Sequence, residues 1–137
     1  MDVPTRDARE ADLPFLVELD RHVSADQLRG LVAAGRVMVA EVDGVPVACL
    51  RWGLFWDLVP FMHLLWVVAD HRGQGVGRTL VEAWETARLG EGHRLVLTST
   101  SAAESAQHFY RALGYVDSGS LLLPDEPSEL ILRKQLG

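Results

Sequence analysis

The chain of 137 residues contains a single cysteine, Cys49, so it cannot form an internal disulfide bond. Small secreted domains use disulfides to compensate for a small core, and this composition does not indicate that class or an oxidising compartment. Cys49 lies within an apolar segment. Its position therefore predicts a buried thiol rather than an activated nucleophile.

Long apolar runs are also lacking. The longest hydrophobic segment is bounded by His63 and Asp70 and is too short to cross a bilayer as a helix. The first residues, Met1 to Asp12, are charged and lack the apolar core of a signal peptide. These features predict a cytoplasmic protein that does not associate with a membrane.

An excess of positive charge is absent as well, because the formal net charge is -6. Proteins that bind nucleic acid usually present a basic face, so we expect no nucleic-acid partner. Four of the histidines lack the pairing or spacing of metal ligands, and we predict no metal site. These histidines are His22, His71, His93 and His108.

Apolar residues make up 48% of the sequence and charged residues 23%, which is typical of a folded globular protein. The length suits one domain over residues 1–137, without repeats or linkers. Period-two and helical patterns predict a strand, two helices, three strands, a helix, a strand, a helix and two strands. The predicted strands are Val3–Arg6, Val37–Val42, Val45–Trp52, Phe61–Val68, Arg94–Thr100, Leu121–Leu123 and Leu130–Leu132. The predicted helices span about 12–20, 24–35, 76–90 and 101–114.

Local signals support these boundaries. Ser24 with Gln27, and Ser101 with Glu104, have the spacing of a capping box at a helix start. The pair at positions 43 and 44, Asp-Gly, is typical of a two-residue hairpin turn. The strands before and after the third helix should be parallel, because a helix joins them.

The segment Val67 to Leu80 is the most informative part of the chain. It runs from an apolar strand through Arg72 and glycines at 73, 75 and 77 into an amphipathic helix. Glycines let a ligand approach the backbone, and a helix amino terminus binds anions. The spacing excludes both the G-x-G-x-x-G dinucleotide fingerprint and the P-loop. The segment therefore predicts a phosphate-binding loop of another kind.

The pattern Arg72-x-x-Gly75-x-Gly77 resembles the R/Q-x-x-G-x-G/A pyrophosphate loop of the GCN5-related N-acetyltransferases (GNAT). The predicted order of elements is similar to that fold from end to end. The resemblance implies an α/β (α+β) fold, with a central mixed, twisted sheet of about seven strands and four flanking helices. It also implies acetyl-CoA as co-substrate, bound by Val67, Val68, Arg72, Gly73, Gln74, Gly75, Val76, Gly77 and Arg78.

Within this family, the strand before the loop uses its backbone to bind the pantetheine arm and to polarise the acetyl carbonyl. By position these groups are the backbones of Val67 and Val68, while the two side chains suit an ordinary core strand. A proline is common two residues after the first valine, and this chain has Ala69. For Arg72, an alternative role is to satisfy carbonyls of the loop itself.

Ala106 to Tyr115 resembles the family signature A-x-x-F-Y-x-x-x-G-[FY]. The resemblance implies that Tyr110 is the general acid that protonates the departing thiolate. The alternative is a core aromatic whose hydroxyl is satisfied at the helix edge. Many relatives have an Asn that contacts CoA seven residues before the Tyr, and this chain has Ala103.

A general base is harder to assign. His63 lies four residues before Val67 on the same predicted strand, and its ordinary pKa suits proton acceptance near neutrality. The alternative is a hydrogen-bonded core histidine. Asp57 is a second candidate, and a water relay is a third. Where other relatives have a catalytic Glu on the next strand, this chain has Thr98.

Four aromatic residues lie in the segments expected to border the acceptor cleft: Trp52, Phe55, Trp56 and Trp66. Such a wall would favour an apolar or aryl amine, or a cation. Core packing explains the same residues equally well.

Together these features predict an N-acetyltransferase that moves an acetyl group from acetyl-CoA directly to a primary amine, without a covalent enzyme intermediate. The acceptor is expected to be a small molecule, and the last strands could form a homodimer. The alternative from another class is a non-catalytic acyl-CoA-binding module or sensor. An O-acyltransferase or a longer acyl donor also stays open.

Overall fold

The structure is a computed structural model, and it describes residues 3–137. This part of the chain contains seven strands and four α-helices. The strands are β1 (Thr5–Asp7), β2 (Val37–Val42), β3 (Val45–Phe55), β4 (Val59–Val67), β5 (Leu95–Ser101), β6 (Val116–Leu121) and β7 (Glu129–Gln135). The helices are α1 (Leu13–Leu19), α2 (Ala25–Ala33), α3 (Val76–Gly90) and α4 (Ala106–Ala112). Short 3₁₀ turns at Glu10–Asp12 and Ala69–His71 precede α1 and the glycine loop.

The strands form one mixed sheet in the order β1-β2-β3-β4-β5-β7-β6. β1 and β3 each pair antiparallel with β2, while β4 and β5 run parallel through Phe61↔Leu97 and Met62↔Thr98. β7 pairs antiparallel with both β5 and β6. The predicted fold, with seven strands and four helices in the expected order, is confirmed.

The chain divides into two compact units. The first comprises the described residues up to Trp52 together with Leu64–Trp84. Its core holds side chains from α1, α2, β2 and β3, including Leu16, Leu28 and Val39. Apolar burial of this kind is the main stabilising contribution to such a unit.

Two turn signals in the first unit are confirmed. Ser24 accepts a hydrogen bond from the Gln27 amide at 3.1 Å, and the Gln27 side chain accepts one from the Ser24 amide at 2.8 Å. This reciprocal capping box starts α2. Asp43 and Gly44 have φ angles of 53° and 76°, which are the left-handed values of a tight hairpin turn between β2 and β3.

The second unit comprises Gly53–His63 and Glu85–Gly137. Residues of β5 and β7 that point to one side of the sheet, such as Val96 and Leu132, are fully buried. Helix α4 ends at Ala112, and Gly114 follows its C-cap with a φ of +98°, the left-handed conformation that favours glycine after a helix.

Two predictions in this unit are wrong in detail. Ser101 does not cap α4, because its hydroxyl accepts from the Ala103 amide in a turn and the helix begins after Ser105. The sixth strand was expected at Leu121–Leu123 and lies at Val116–Leu121. All of its residues are exposed, so the strand has no alternation of apolar and polar side chains that a sequence pattern could detect.

Candidate active site

The loop that leads into α3 has an open backbone. Gly73 and Gly75 have φ angles of +75° and +81°, which side chains rarely adopt. A Cβ atom built at either position would meet no heavy atom within 4 Å. The glycines are therefore required by backbone conformation, and they leave free space where a ligand could approach.

The amides of this loop point to an anion site. The first hydrogen bond of α3 is made by the Thr79 amide, which donates to the Gly75 carbonyl at 3.0 Å. The amides of residues 73–78 donate no hydrogen bond to any residue from 3 to 137. Because α3 is 15 residues long, its dipole adds positive potential at this end. A diphosphate fits unpaired donors at a helix start.

Arg72 is anchored beside the loop. Its Nε donates a hydrogen bond to the Val67 carbonyl at 2.9 Å, and its guanidinium lies 4.8 Å from the ring centroid of Trp66. Arg72 Nε therefore fills the alternative role predicted for this residue, which is to satisfy a local carbonyl. The remaining guanidinium N–H groups donate to no described residue. Arg78 is exposed on α3 and pairs with Glu82 at 3.2 Å.

The two valines predicted to contact the donor differ in their backbone hydrogen bonds. The Val68 amide donates to the Val47 carbonyl on β3 at 2.9 Å, so it is already engaged. Successive residues of a strand direct their hydrogen-bonding groups to opposite edges. The amide of Val67 therefore faces the edge of β4 away from β3, and it is the better candidate to polarise a carbonyl.

Tyr110 is buried on α4 with 7% of its surface exposed. Its ring contacts Phe109 and Tyr115 edge-on, at centroid distances of 5.2 and 5.8 Å. Burial raises the pKa of Tyr110, and a hydrogen bond with the Thr98 side chain partly opposes that change. Thr98 in turn donates to the Met62 carbonyl at 3.1 Å. The Tyr110 hydroxyl is thus protonated at neutral pH.

His63 is exposed on β4. Its imidazole lies 5.3 Å from the Phe61 ring centroid and packs over Gly53 on β3. A Cβ atom at Gly53 would come within 2.7 Å of His63 Cε1, so a larger residue would displace the imidazole. Sequence reasoning missed Gly53, although a glycine inside a strand often marks a close approach of this kind.

Asp57, the second candidate base, lies in the turn between β3 and β4. Both Trp56 and Asp57 have left-handed φ angles, 57° and 58°, and the Leu58 amide donates to the Phe55 carbonyl at 3.0 Å. Asp57 is exposed at this turn. Aspartate tolerates a left-handed angle well, so its place in the turn has a conformational explanation.

The four predicted acceptor aromatics do not share one environment. Trp52 is 5% exposed, contacts Trp84 edge-on at 6.2 Å and lies 4.5 Å from the Arg36 guanidinium, so it belongs to the core. Trp66 lies against Arg72. Phe55 and Trp56 form a separate pair with centroids 4.6 Å apart.

Sequence reasoning also missed a buried polar network on α3, β7 and the segment after α4. Glu85, which is 7% exposed, accepts hydrogen bonds from the Tyr115 hydroxyl at 2.8 Å and from Lys134 Nζ at 2.9 Å. Burial, and then the Glu85 carboxylate, raise the pKa of Tyr115. These partners are 30 and 49 residues apart in sequence, so no local pattern connects them.

Three further features bear on the chemistry. Burial raises the pKa of the Cys49 thiol to about 12, so it carries no thiolate for nucleophilic attack at neutral pH.

Within the described residues, no three His, Cys, Asp or Glu side chains gather in a way that could hold a metal ion. None of the helices in residues 3–137 is both long and apolar enough to span a membrane.

Comparison with known families agrees with this geometry. Residues 33–117 match the family model described as acetyltransferase (GNAT) domain, which is more than half of the chain. The chain therefore belongs to the GNAT family, whose reaction is acetyl transfer from acetyl-CoA. No curated protein is significantly similar to it in sequence.

Solved structures share the fold at low sequence identity. A GNAT-family acetyltransferase from Bacillus cereus is 22% identical, with a TM-score of 0.82 and 99% of each chain covered. The PaiA N-acetyltransferase from Thermoplasma acidophilum, solved with coenzyme A, is 14% identical, with a TM-score of 0.83 over 98% of this chain and 99% of that one. The ribosomal-protein-S18-alanine N-acetyltransferase of Escherichia coli is 17% identical, with a TM-score of 0.80 over 98% and 94%.

Proposed function

We propose that residues 1–137 form a single acetyltransferase domain that moves an acetyl group from acetyl-CoA directly to a primary amine of a small molecule. The observation that carries this proposal is the loop at residues 72–78, where Gly73 and Gly75 are left-handed with open space around them and the amides of residues 73–78 donate to no described residue. In the reaction a C–N bond forms, the thioester C–S bond breaks, the amine loses a proton and the thiolate gains one.

Each role falls to a group described above. Acetyl-CoA supplies an activated acyl group as a thioester. The amides of Gly73 to Gly77 bind its pyrophosphate, aided by the charges of Arg72 and Arg78. The amide of Val67 polarises the carbonyl that is attacked. The Arg72 bond to the Val67 carbonyl holds the Val67–Val68 peptide unit, which is the next one along the chain from the peptide unit that carries this amide.

Tyr110 acts as the general acid. Its raised pKa keeps the phenol protonated through the neutral range, so the proton is available when the thiolate forms. His63 acts as the general base, directly or through a water, and the packing over Gly53 orients its ring.

The acceptor, the location and the assembly are further parts of the proposal. The name of the Escherichia coli relative specifies a protein acceptor, so the fold by itself does not select a small molecule. We favour a small amine as the acceptor, and turnover with a panel of small amines tests this choice. The single free cysteine suits the cytoplasm. The fully exposed edge strand β6 is where a homodimer would form.

The first test is binding followed by turnover. We expect CoA to raise the melting temperature, and acetyl-CoA to release thiol when a reactive amine is added from a panel. Tyr110→Phe should lower kcat about 100-fold with little change in the Kd for CoA, which is the range of general acid catalysis. Because the pKa of Tyr110 is raised, this group should cause no loss of kcat below about pH 10.

Tyr115→Phe is the matched control. It removes a hydroxyl from the neighbouring ring that is bonded to Glu85, so it should lower stability but leave kcat close to wild type below the melting temperature. Equal kcat values for wild type and Tyr110→Phe would disprove the acid role. Absence of any stabilisation by millimolar CoA would disprove the acetyl-CoA site itself.

A second candidate function is a binding module that retains acyl-CoA without turnover. The burial of Tyr110 against the Phe109 and Tyr115 rings favours this alternative, because it also suits a purely structural tyrosine. A binding module of this kind should be stabilised by CoA. No amine should raise the release of thiol from acetyl-CoA above the rate of hydrolysis.

A further inference from the structure

The second unit contains an apolar pocket with a volume of about 350 Å³. Leu97 and Ile131 are among its apolar lining residues on β5 and β7, and Phe55 and Trp56 line it from the end of β3. Ser118 to Ser120 on β6 supply its polar groups. Pockets that bind small molecules are usually at least this large, and they combine an apolar lining with a few polar groups.

Trp56 lines this pocket at a conformational cost. Its φ of 57° lies in the left-handed region, where tight turns normally place asparagine, aspartate or glycine. A bulky residue in this region is conformationally strained. Trp56 is 77% exposed, so burial of its side chain offsets little of this strain. Contact with a ligand would account for a large aromatic residue at this position.

A row of rings connects the pocket wall to His63. The ring centroids of Trp56 and Phe55 are 4.6 Å apart, those of Phe55 and Phe61 are 6.2 Å apart, and those of Phe61 and His63 are 5.3 Å apart. His63 is the proposed general base. A ring bound at the Phe55 end of the pocket would thus have Phe61 and then His63 in the direction in which an attached aminoalkyl chain could extend.

The lining also defines the chemistry of the occupant. None of the described residues around the pocket carries a charge, so no group there would pair with a second ammonium or with a phosphate. The serine hydroxyls at 118 and 120 allow at most a few hydrogen bonds. The pocket thus fits a neutral and mainly apolar group better than a polyamine chain.

We propose that this pocket binds the aromatic substituent of the acceptor, which makes the acceptor a primary arylalkylamine. The inference rests on the proposed acetyl transfer and specifies its substrate class. It excludes spermidine and small polar amines as preferred acceptors.

The test compares 2-phenylethylamine with ethylamine in wild type and in Trp56→Gly. Glycine suits the left-handed angle, so the variant should remain folded. We expect the wild type to have a higher kcat/KM for 2-phenylethylamine than for ethylamine. In the variant the ratio of these two values should fall about tenfold, because the KM for 2-phenylethylamine rises. Leu58→Ala is the control, because Leu58 is 68% exposed in the same turn but does not line the pocket.

A binding measurement separates this inference from the proposed function. Titration of 2-phenylethylamine into the CoA-loaded protein should show weaker binding to Trp56→Gly than to wild type, whether or not turnover occurs. If amines are acetylated but Trp56→Gly keeps the wild-type preference, the pocket inference is wrong and the function stands. If Trp56→Gly instead converts a dimer to a monomer in sedimentation, the pocket is covered by a second copy and the inference is also wrong.

Discussion

The loop at residues 72–78 and the surroundings of Tyr110 are held in place by different means. The loop relies on backbone conformation, since Gly73 and Gly75 adopt left-handed angles and the amides of residues 73–78 donate no hydrogen bond to any described residue. Tyr110 is buried against the rings of Phe109 and Tyr115, and Tyr115 belongs to the Glu85 network. A site built from backbone leaves donors for a ligand, whereas one built from buried side chains fixes a group in one orientation.

This difference predicts that substitutions in the two regions impair different properties of the protein, ligand binding in one and folding in the other. Substitutions in the loop should impair ligand binding with little effect on folding. Substitutions around Tyr110 and Tyr115 should impair folding first, because they leave buried polar groups without partners.

The largest expected effect is that of Gly75→Val on CoA binding. A branched side chain at a φ of +81° should distort the loop and occupy the open space beside it. We expect the Kd for CoA to rise about 100-fold, or about 2.7 kcal/mol, as measured by calorimetry. Gly92→Val is the matched control, because Gly92 also has a left-handed φ, +97°, with no atom within 4 Å of a Cβ.

Both glycine variants should therefore have similar melting temperatures without CoA, while only Gly75→Val loses the stabilisation by CoA. If the two variants bind CoA equally well, the loop is not the pyrophosphate site.

The second largest expected effect is a loss of stability when the hydrogen-bond network around Glu85 is broken. Lys134→Met leaves the Glu85 carboxylate buried with Tyr115 as its remaining hydrogen-bond donor. We expect a loss of about 2 kcal/mol in the free energy of unfolding, less than for a fully buried pair because Lys134 is partly exposed. Arg111→Met breaks the exposed Arg111–Asp117 pair, bonded at 2.8 Å, and should leave the melting temperature unchanged.

Adding Glu85→Gln to Lys134→Met should recover part of the loss, because a neutral amide costs less to bury than an unpaired carboxylate. A Lys134→Met protein as stable as Arg111→Met would mean that the buried network does not support this unit.

The glycine loop could be predicted from sequence because its physics is local. Glycines at fixed spacing, followed by a helical pattern, define both the turn and the start of α3, and the predicted bounds of that helix, 76–90, agree with the structure. The fold could be predicted for a similar reason, since turns and periodic apolar residues separate nearly every element.

The environment of Tyr110 could not be predicted in the same way. The motif predicted Tyr110 as a candidate, but the bond from the neighbouring Tyr115 to Glu85 joins distant segments. The engagement of the Val68 amide by Val47 is equally non-local. Gly53 was the exception, because a glycine within a strand is itself a signal that the neighbouring side chain, His63, needs room.

The smallest expected effect concerns the start of α4, where the sequence pattern was misleading. Ser24 and Ser101 share the spacing of a capping box, but only Ser24 accepts from the amide three residues later. Ser24→Ala should therefore cost about 1 kcal/mol in urea unfolding. Ser101→Ala removes one bond in an exposed turn and should cost less than about half of that. Equal losses would mean that Ser101 contributes to α4 as a helix cap after all, and that the entry to the Tyr110 helix is set locally, as the loop at residues 72–78 is.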